Sequence, residues 1–374
     1  MSFITNIRSV AKYESKILVR SWFFRIFTLL AVVFLGFFNF AMMLMEDNFG
    51  LWFAKSVSSN IPYLNLLLLN TGQAVVAVFL SSEFLKRDKK LDTSEVFYVR
   101  PLSNAEYVVG KIWGNLRVFL FLNLLVLAIV LAFNFMASGV TVDLPAYLVY
   151  FFLISIPTLI FIIGLSIFLM LLLKNQALTF ILLLGYIGLT LFYIQDKFYY
   201  LFDYMVYNLP LFKSTIVGFS NLELILNHRA IYFFAGLGFI FFTIFLFKRL
   251  PNARRSHYPW LFLSFCMFLL MVTAGFRHVR SILREGEMRA LYTSINNKYV
   301  YEPKMAIDYY DISVEQKSET IRSVVGMEGT ALAASEVFIF CLNPGLRVEE
   351  VKDGEKSLNF KREEQILAVD FGRE

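Results

Sequence analysis

Long apolar runs, separated by short polar connections, fill the first three quarters of the chain. Each run lacks Asp, Glu, Lys, Arg and His and is about long enough to cross ~30 Å of hydrocarbon as a helix. The pattern predicts a mainly α, polytopic membrane protein with seven spans: Ile26–Met45, Ile61–Ser82, Val118–Val140, Tyr147–Leu173, Ala177–Ile194, Ile231–Phe247 and Pro259–Phe276.

The first 25 residues are amphipathic. Basic side chains recur every four residues on one face, and apolar side chains fill the other. This predicts a helix in the inner membrane interface, with its apolar face in the acyl boundary and its basic face toward anionic lipid head groups: Arg8, Lys12, Lys16 and Arg20. A simple electrostatic anchor explains the same periodicity. Glu14, within the apolar sector, is expected to pair with a basic residue from elsewhere.

The connection between the second and third runs, residues 83–117, is strongly charged. Its basic first half is followed by a capping signature from Asp92 to Glu95, which predicts a short helix. Pro101 ends that helix, and a second capping box from Ser103 to Glu106 begins the next one. A short helix between two breaks is suited to contact with a cytoplasmic partner, although a solvated basic loop explains the composition as well.

Two further segments interrupt the pattern. Gln195–Ala230 is too polar to cross the membrane, and its aromatic clusters predict one or two short helices in the outer interface. After the seventh run, alternating apolar residues separated by turn residues predict a partial β-sandwich that ends with open edges, as in an incomplete domain. Its expected strands contain Tyr310/Ile312/Val314, Val337–Cys341, Leu346/Val348, Leu358/Phe360 and Ile366–Phe371.

Composition and charge bound the function. With 58% hydrophobic residues the chain is too apolar for an ordinary soluble domain. Basic residues concentrate at alternate connections, which predicts a cytoplasmic N-terminus and, after seven spans, a C-terminal tail outside. The net charge of +6 is therefore mainly a topology signal, and no aromatic-basic pattern indicates nucleic-acid binding. Cys266 and Cys341 are not expected to form a disulfide.

Catalytic motifs are missing from the sequence. There is no P-loop, since the glycines and hydroxyl it needs do not surround Lys111, and there is no H-E-x-x-H. The seven runs contain no ionisable side chain of the kind that ion-coupled transporters use, so energy for transport would have to come from another protein. The amides and hydroxyl of the second run are expected to hydrogen-bond between helices, with a role as substrate ligands as the alternative: Asn65, Asn70, Thr71 and Gln73.

The segment Val99–Lys111 is similar to the segment that leads from the coupling helix into the third span in the ABC-2 type permease family. This resemblance implies a six-span bundle in a bacterial cytoplasmic (inner) membrane. It implies that the 83–117 loop docks into a separate ABC ATPase subunit that binds ATP and magnesium, and that a second permease copy or homologue completes a dimer. Carried over by position, the coupling helix would contain Asp92, Thr93, Glu95, Val96, Phe97 and Tyr98, and its exit would be shaped by Arg100, Pro101, Gly110 and Lys111.

The tail resembles the opening strands of the N-terminal β domain of M1-type aminopeptidases, whose catalytic motifs would lie beyond Glu374. No enzyme activity and no cofactor are therefore expected in this chain. The predicted organisation is an interfacial helix (1–25), a permease domain (26–250), a basic loop with the seventh span (251–280) and a periplasmic β-rich domain (281–374).

The sequence thus leads to one expected function and one rival. The first is a permease subunit that couples ATP hydrolysis on a partner to substrate export. The rival is a multispan membrane anchor that displays an outward M1 peptidase-like or binding domain; a single helix would suffice for that purpose, which favours transport.

Overall fold

A computed structural model describes residues 3–44, 57–82, 102–136, 141–194, 196–209, 211, 213, 218–219, 221–247, 258–317 and 320–372. The chain forms two compact units, Met1–Val279 and Arg280–Glu374. The first unit is helical, whereas the second combines the end of the last helix with short strands.

The described helices are α1 (Phe3–Arg20), α2 (Trp22–Leu44), α3 (Asn60–Ser82), α4 (Asn104–Met136), α5 (Leu144–Tyr150), α6 (Ile156–Leu173), α7 (Gln176–Leu189), α8 (Leu222–Leu246) and α9 (Tyr258–Lys298). One π-helical turn, Phe151–Ser155, joins α5 to α6, and another, Thr190–Ile194, continues α7. Among the described residues, seven helical segments are long and apolar enough to cross a membrane, as the seven predicted spans require, and this supports a multi-pass membrane protein.

Three of these helices extend nine or more residues beyond their apolar runs. α4 and α8 begin well before Val118 and Ile231, and α9 continues far past Phe276. An apolar run in the sequence ends, by definition, at the first ionisable residue. The helix itself can continue when that residue is paired with another group or lies outside the apolar part of the membrane. The seven runs themselves contain no ionisable residue, but the helices that include three of them carry such residues beyond the runs.

The segment after α7 also differs from its prediction. Between α7 and α8 its described residues contain one three-residue 3-10 turn, Phe198–Tyr200, followed by irregular turns, whereas the end of the predicted range, from Leu222, belongs to α8. All three residues of the 3-10 turn have positive φ, a conformation that non-glycine residues adopt rarely. The following residues Tyr204, Met205 and Val206 are fully buried, so this segment is packed against the bundle and does not merely lie in the interface.

The helices α6 and α8 touch through glycines. A Cβ atom on Gly164 would lie 2.6 Å from the carbonyl oxygen of Gly236, and one on Gly236 would lie 2.7 Å from the main chain of Ile160. Small residues allow this close approach of two backbones in membrane helices.

The second unit contains β1 (Met305–Lys317), β2 (Thr320–Ala331), β3 (Val337–Cys341), β4 (Lys352–Asp353), β5 (Lys356–Ser357), β6 (Asn359–Glu363) and β7 (Ile366–Asp370). All pairings are antiparallel, in the orders β1-β2, β3-β7-β6 and β4-β5. Small cores form around Ile295 with Ile339 and Ile366, and around Leu358 with Leu367 and Val369.

Most of the predicted strands are present, with three differences. Leu346 and Val348 are not in a strand, β2, β4 and β5 have no counterpart among the predicted strands, and residues 281–298 belong to α9. The described strands form three small sheets of two or three strands, and not the predicted partial sandwich. The β1-β2 hairpin is exposed along almost its whole length, and this explains why β2 lacks the regular apolar alternation of a half-buried strand.

Candidate functional site

The predicted site residues fall into three groups. The predicted coupling segment lies outside the described residues, with Asp92, Thr93, Glu95, Val96, Phe97, Tyr98, Arg100 and Pro101. Gly110 and Lys111 lie on the first turns of α4, against α1. The four basic residues of α1 are all exposed: Arg8, Lys12, Lys16 and Arg20.

The start of α4 is fixed by the predicted capping box. The backbone N–H of Ser103 donates to Glu106 Oε2 at 2.6 Å, and the N–H of Glu106 donates to Ser103 Oγ at 3.1 Å. The other oxygen of the Glu106 carboxylate accepts from Asn6 Nδ2 of α1 at 2.9 Å. Asn104 Nδ2 donates to the carbonyl of Phe247 at 2.7 Å, after the end of α8. The first turn of α4 therefore holds α1 and the end of α8 together.

Two glycines let α1 lie directly on α4. A Cβ atom on Gly110 would be 2.7 Å from Val10 Cβ, and one on Gly114 would be 2.8 Å from Glu14 Cβ. Real Cβ atoms do not approach so closely, so neither position accepts a side chain without a shift of α1. The role expected for Gly110 was to shape the exit of the coupling helix, whereas the structure gives it a contact with α1.

Main-chain contacts reinforce this seam. Ser15 Oγ donates to the Gly114 carbonyl at 2.6 Å and accepts from Arg117 Nε at 2.5 Å. The same guanidinium donates to the Ala11 carbonyl at 2.8 Å. We call the contact of α1 with residues 103–117 the α1/α4 joint.

A buried ion pair lies at the centre of the α1/α4 joint. Lys111 Nζ lies 3.7 Å from Glu14 Oε2, and both side chains are 3% exposed. This confirms the basic partner predicted for Glu14. Lys111 Nζ also lies 5.1 Å from the centre of the Tyr107 ring, which favours the cation further. A buried charge pair is costly to break by removing one member, so it fixes the register of the two helices.

The outer face of α1 is basic and its inner face mixed. Ala11 and Leu18, expected in the acyl boundary, are buried, whereas Ile4 is 75% exposed. The prediction that the whole apolar face lies in lipid is therefore wrong. Buried polar residues such as Asn6 and Ser15 share that inner face. A hydropathy scale does not predict burial for such residues, but each of them is hydrogen-bonded to α4.

Amides and hydroxyls link the spans deeper in the bundle. Asn65 Nδ2 of α3 donates to Asn39 Oδ1 of α2 at 3.1 Å. Asn70 Nδ2 donates to Asn123 Oδ1 of α4 at 3.0 Å and to Ser155 Oγ at 3.2 Å. Gln73 Nε2 donates to the Phe119 carbonyl at 3.0 Å. Thr71 is bonded to the hydroxyl of Tyr207. These contacts confirm that the polar residues of the second run hydrogen-bond other elements.

Arg229, assigned from the sequence to an outer connection, is 2% exposed and lies on α8. Its Nε donates to the Leu153 carbonyl at 2.6 Å, and its terminal nitrogens donate to Tyr204 O at 2.9 Å and Thr158 Oγ1 at 2.9 Å. Pro157 has no N–H, so the Leu153 carbonyl, four residues earlier, lacks the donor that a regular α-helix would supply. Arg229 supplies a donor to this carbonyl. Pro157 was the one feature of the sequence that indicated a carbonyl without its usual donor.

Asp203 organises the irregular segment after α7. Its carboxylate accepts from the backbone N–H groups of Tyr207 and Asn208, each at 2.9 Å. Burial raises the pKa of the Asp203 carboxyl, and these two hydrogen bonds together with the Arg229 charge oppose that rise. The carboxylate thus acts as a local turn-former beside the buried guanidinium.

Within the part of the chain that the structure describes, no group of three or more His, Cys, Asp or Glu residues is placed to hold a metal ion. Comparison of the chain with protein-family models and with curated proteins gives no match.

Proposed function

We propose that this chain is the permease subunit of an ATP-driven exporter of the ABC-2 type, set in a bacterial inner membrane with its N-terminus cytoplasmic. The α1/α4 joint is the observation that carries this proposal. It ties the helix immediately after the charged 83–101 connection to an interfacial helix through buried polar contacts.

A force applied to the 83–101 connection has a direct route into the bundle. That connection leads within a few residues into the Ser103–Glu106 capping box, and the same Glu106 carboxylate holds Asn6 of α1. Because two glycines remove any soft side-chain layer between the helices, α1 and the base of α4 move together. A partner that pulls on the loop would therefore move α4 and α1 together at the membrane surface.

The buried cations support a structural role more than ion coupling. Lys111 is paired with Glu14, and Arg229 is occupied by main-chain carbonyls and Thr158. A coupling ion needs a group that binds and releases it. With these two cations held in structural contacts, the proposal takes its energy from a separate P-loop ATPase that carries ATP and magnesium. It also includes a second permease copy that completes the transport path, and lipids on the basic face of α1.

The experiment is purification of the tagged chain from its native membranes, followed by identification of bound proteins and an ATPase assay. We expect a P-loop ATPase to copurify and the chain alone to hydrolyse no ATP. Val96→Asp combined with Phe97→Asp is expected to abolish partner binding while membrane insertion stays intact. Tyr301→Asp, at a side chain that is 99% exposed in the second unit, is the matched control. ATP hydrolysis by the isolated chain, or full partner binding by the double variant, contradicts the proposal.

One observation favours the rival function of a membrane anchor for the second unit. The span part of α9 exposes most of its large apolar residues within this chain, including Phe262, Phe265, Leu269, Val272 and Phe276. A helix that mainly faces lipid is what an anchor requires. Deletion of residues 258–374 separates the two functions: an exporter keeps its ATPase partner without them, whereas an anchor has lost its displayed unit.

A further inference from the structure

Two buried histidines meet at one end of α8 and α9. His228 and His278 are each 0% exposed, and their ring centres lie 5.1 Å apart. They come from different helices, yet they bind consecutive carbonyls of the 3-10 turn. His228 Nε2 lies 3.0 Å from the Tyr200 oxygen, and His278 Nε2 lies 2.8 Å from the Tyr199 oxygen. We call this arrangement the histidine clamp.

The geometry fixes the protonation of both rings. A carbonyl oxygen only accepts hydrogen bonds, so each Nε2 must carry the proton and donate it. The Nδ1 atom of His228 has no hydrogen-bond partner. A neutral Nε2–H ring fits this environment, because its bare Nδ1 needs no acceptor. A second proton on His228 would create an N–H donor at Nδ1 without an acceptor. It would also create a buried positive charge next to Arg229 and opposite another imidazole.

The clamp holds a backbone that does not favour its own conformation. Phe198, Tyr199 and Tyr200 have φ values of 51°, 59° and 62°, and non-glycine residues in this region are held by their surroundings. The Tyr232 hydroxyl adds a bond to the next carbonyl, that of Leu201. Loss of the histidine bonds would therefore free the turn and loosen α9 from α8.

We propose that the histidine clamp is an acid-sensitive latch between α9 and the rest of the first unit. It is closed when both imidazoles are neutral and opens when His228 takes up a proton. Since only the open state accommodates the second proton, the ratio of open to closed molecules rises by up to about tenfold per pH unit, for each proton taken up, below the ordinary titration range of imidazole near pH 6.5.

Other ionisable groups near the clamp do not reproduce this behaviour. Glu223 and Arg277 form an exposed ion pair between the same helices, with Oε1 and Nη2 3.2 Å apart. Both members of that pair are unchanged in a histidine variant. The remaining ionisable neighbours are the buried Asp203, the guanidinium of Arg229 and the phenols of Tyr199, Tyr200 and Tyr232. All of these are unchanged in a histidine variant, which therefore separates their titration from that of the imidazoles.

The test uses the full chain with Cys266 and Cys341 replaced and spin labels at Phe135→Cys and Phe276→Cys, both exposed positions of the first unit. Double electron–electron resonance compares the label distance near neutral pH and near pH 5. We expect a second, different distance to grow in on acidification of the parent chain. In His228→Gln, whose amide still donates to Tyr200 but takes up no proton, the acid-induced distance should be absent.

A second measurement needs no substitution in the clamp. The chain contains three histidines, so nitrogen NMR of a histidine-labelled sample follows each ring. Two rings are expected to be neutral Nε2–H tautomers at neutral pH, and at least one of them should gain its proton over the same pH interval as the distance change. An unchanged label distance down to pH 5, the same change in His228→Gln, or proton uptake without a distance change would each overturn the latch.

Discussion

For some polar residues inside the apolar bundle, the kind of partner could be predicted from the sequence. Asn65, Asn70 and Gln73 were expected to join helices and do so, because an amide in a long apolar run has few other ways to satisfy its donors. Glu14 was expected to find a cation and pairs with Lys111.

Arg229, His228 and His278 could not be predicted in the same way. They lie just outside the charge-free runs, and what makes them buried is the partner that each finds on another element. A window along one sequence contains no information on those distant carbonyls. Only the proline at position 157 hinted at a carbonyl in need of a donor.

At the residue scale, the Glu14–Lys111 pair gives a sharp expectation. Glu14→Gln or Lys111→Met alone should lower the free energy of unfolding by about 3 kcal/mol, because each leaves a buried charge without its partner. The double variant Glu14→Gln/Lys111→Met should lose less than the sum of the two single losses. Denaturant unfolding of the purified proteins gives all three values, and strictly additive losses would show that the two charges do not interact.

Helices and strands differ in how well the sequence predicted them. The described residues of all seven predicted spans are helical, since about 20 consecutive apolar residues have few alternatives in a membrane. Their ends did not follow the prediction at α4, α8 and α9, where ionisable residues continue the helix. The apolar runs of the tail correctly located β3 and β7, which are partly buried, whereas β2 is exposed throughout and lacks regular apolar alternation. The predicted coupling segment lies outside the described residues.

At the element scale, the seam of the α1/α4 joint can be tested with one methyl group. Gly114→Ala would place a Cβ atom 2.8 Å from Glu14 Cβ and 2.9 Å from the Ala11 carbonyl oxygen. We expect this overpacking to lower the free energy of unfolding by about 1–3 kcal/mol.

The matched control is Gly185→Ala on α7, where nothing lies within 4 Å of the new methyl group. Alanine is the better helix former, so this variant should unfold no more easily than the parent chain. The same denaturant assay serves both variants. If Gly114→Ala were as stable as Gly185→Ala, the close approach of α1 to α4 would be contradicted.

At the scale of the whole molecule, the seven candidate spans predict on which side of the membrane the second unit lies. With a cytoplasmic N-terminus, an odd number of crossings places the second unit outside. Glu355→Cys, at an exposed turn between β4 and β5, should therefore react with a membrane-impermeant maleimide in intact spheroplasts once Cys266 and Cys341 are replaced.

Arg20→Cys, at an exposed position on α1, is the control for the opposite side and should react only after lysis. Labelling of Glu355→Cys only in lysed cells would place both ends of the chain in the same compartment. The predicted topology and the outward position of the second unit would then both be wrong.

The glycine contact between α6 and α8 limits how this protein can deform. With backbones touching at Gly164 and Gly236, and Arg229 bonded to the main chain of the adjoining π-helical turn, the two helices are joined at two levels along their length. Neither can slide or rotate against the other without breaking one of these attachments. In any large rearrangement, α6 and α8 must therefore move together as one rigid body. Relative motion is then confined to the contacts between this pair and the surrounding helices.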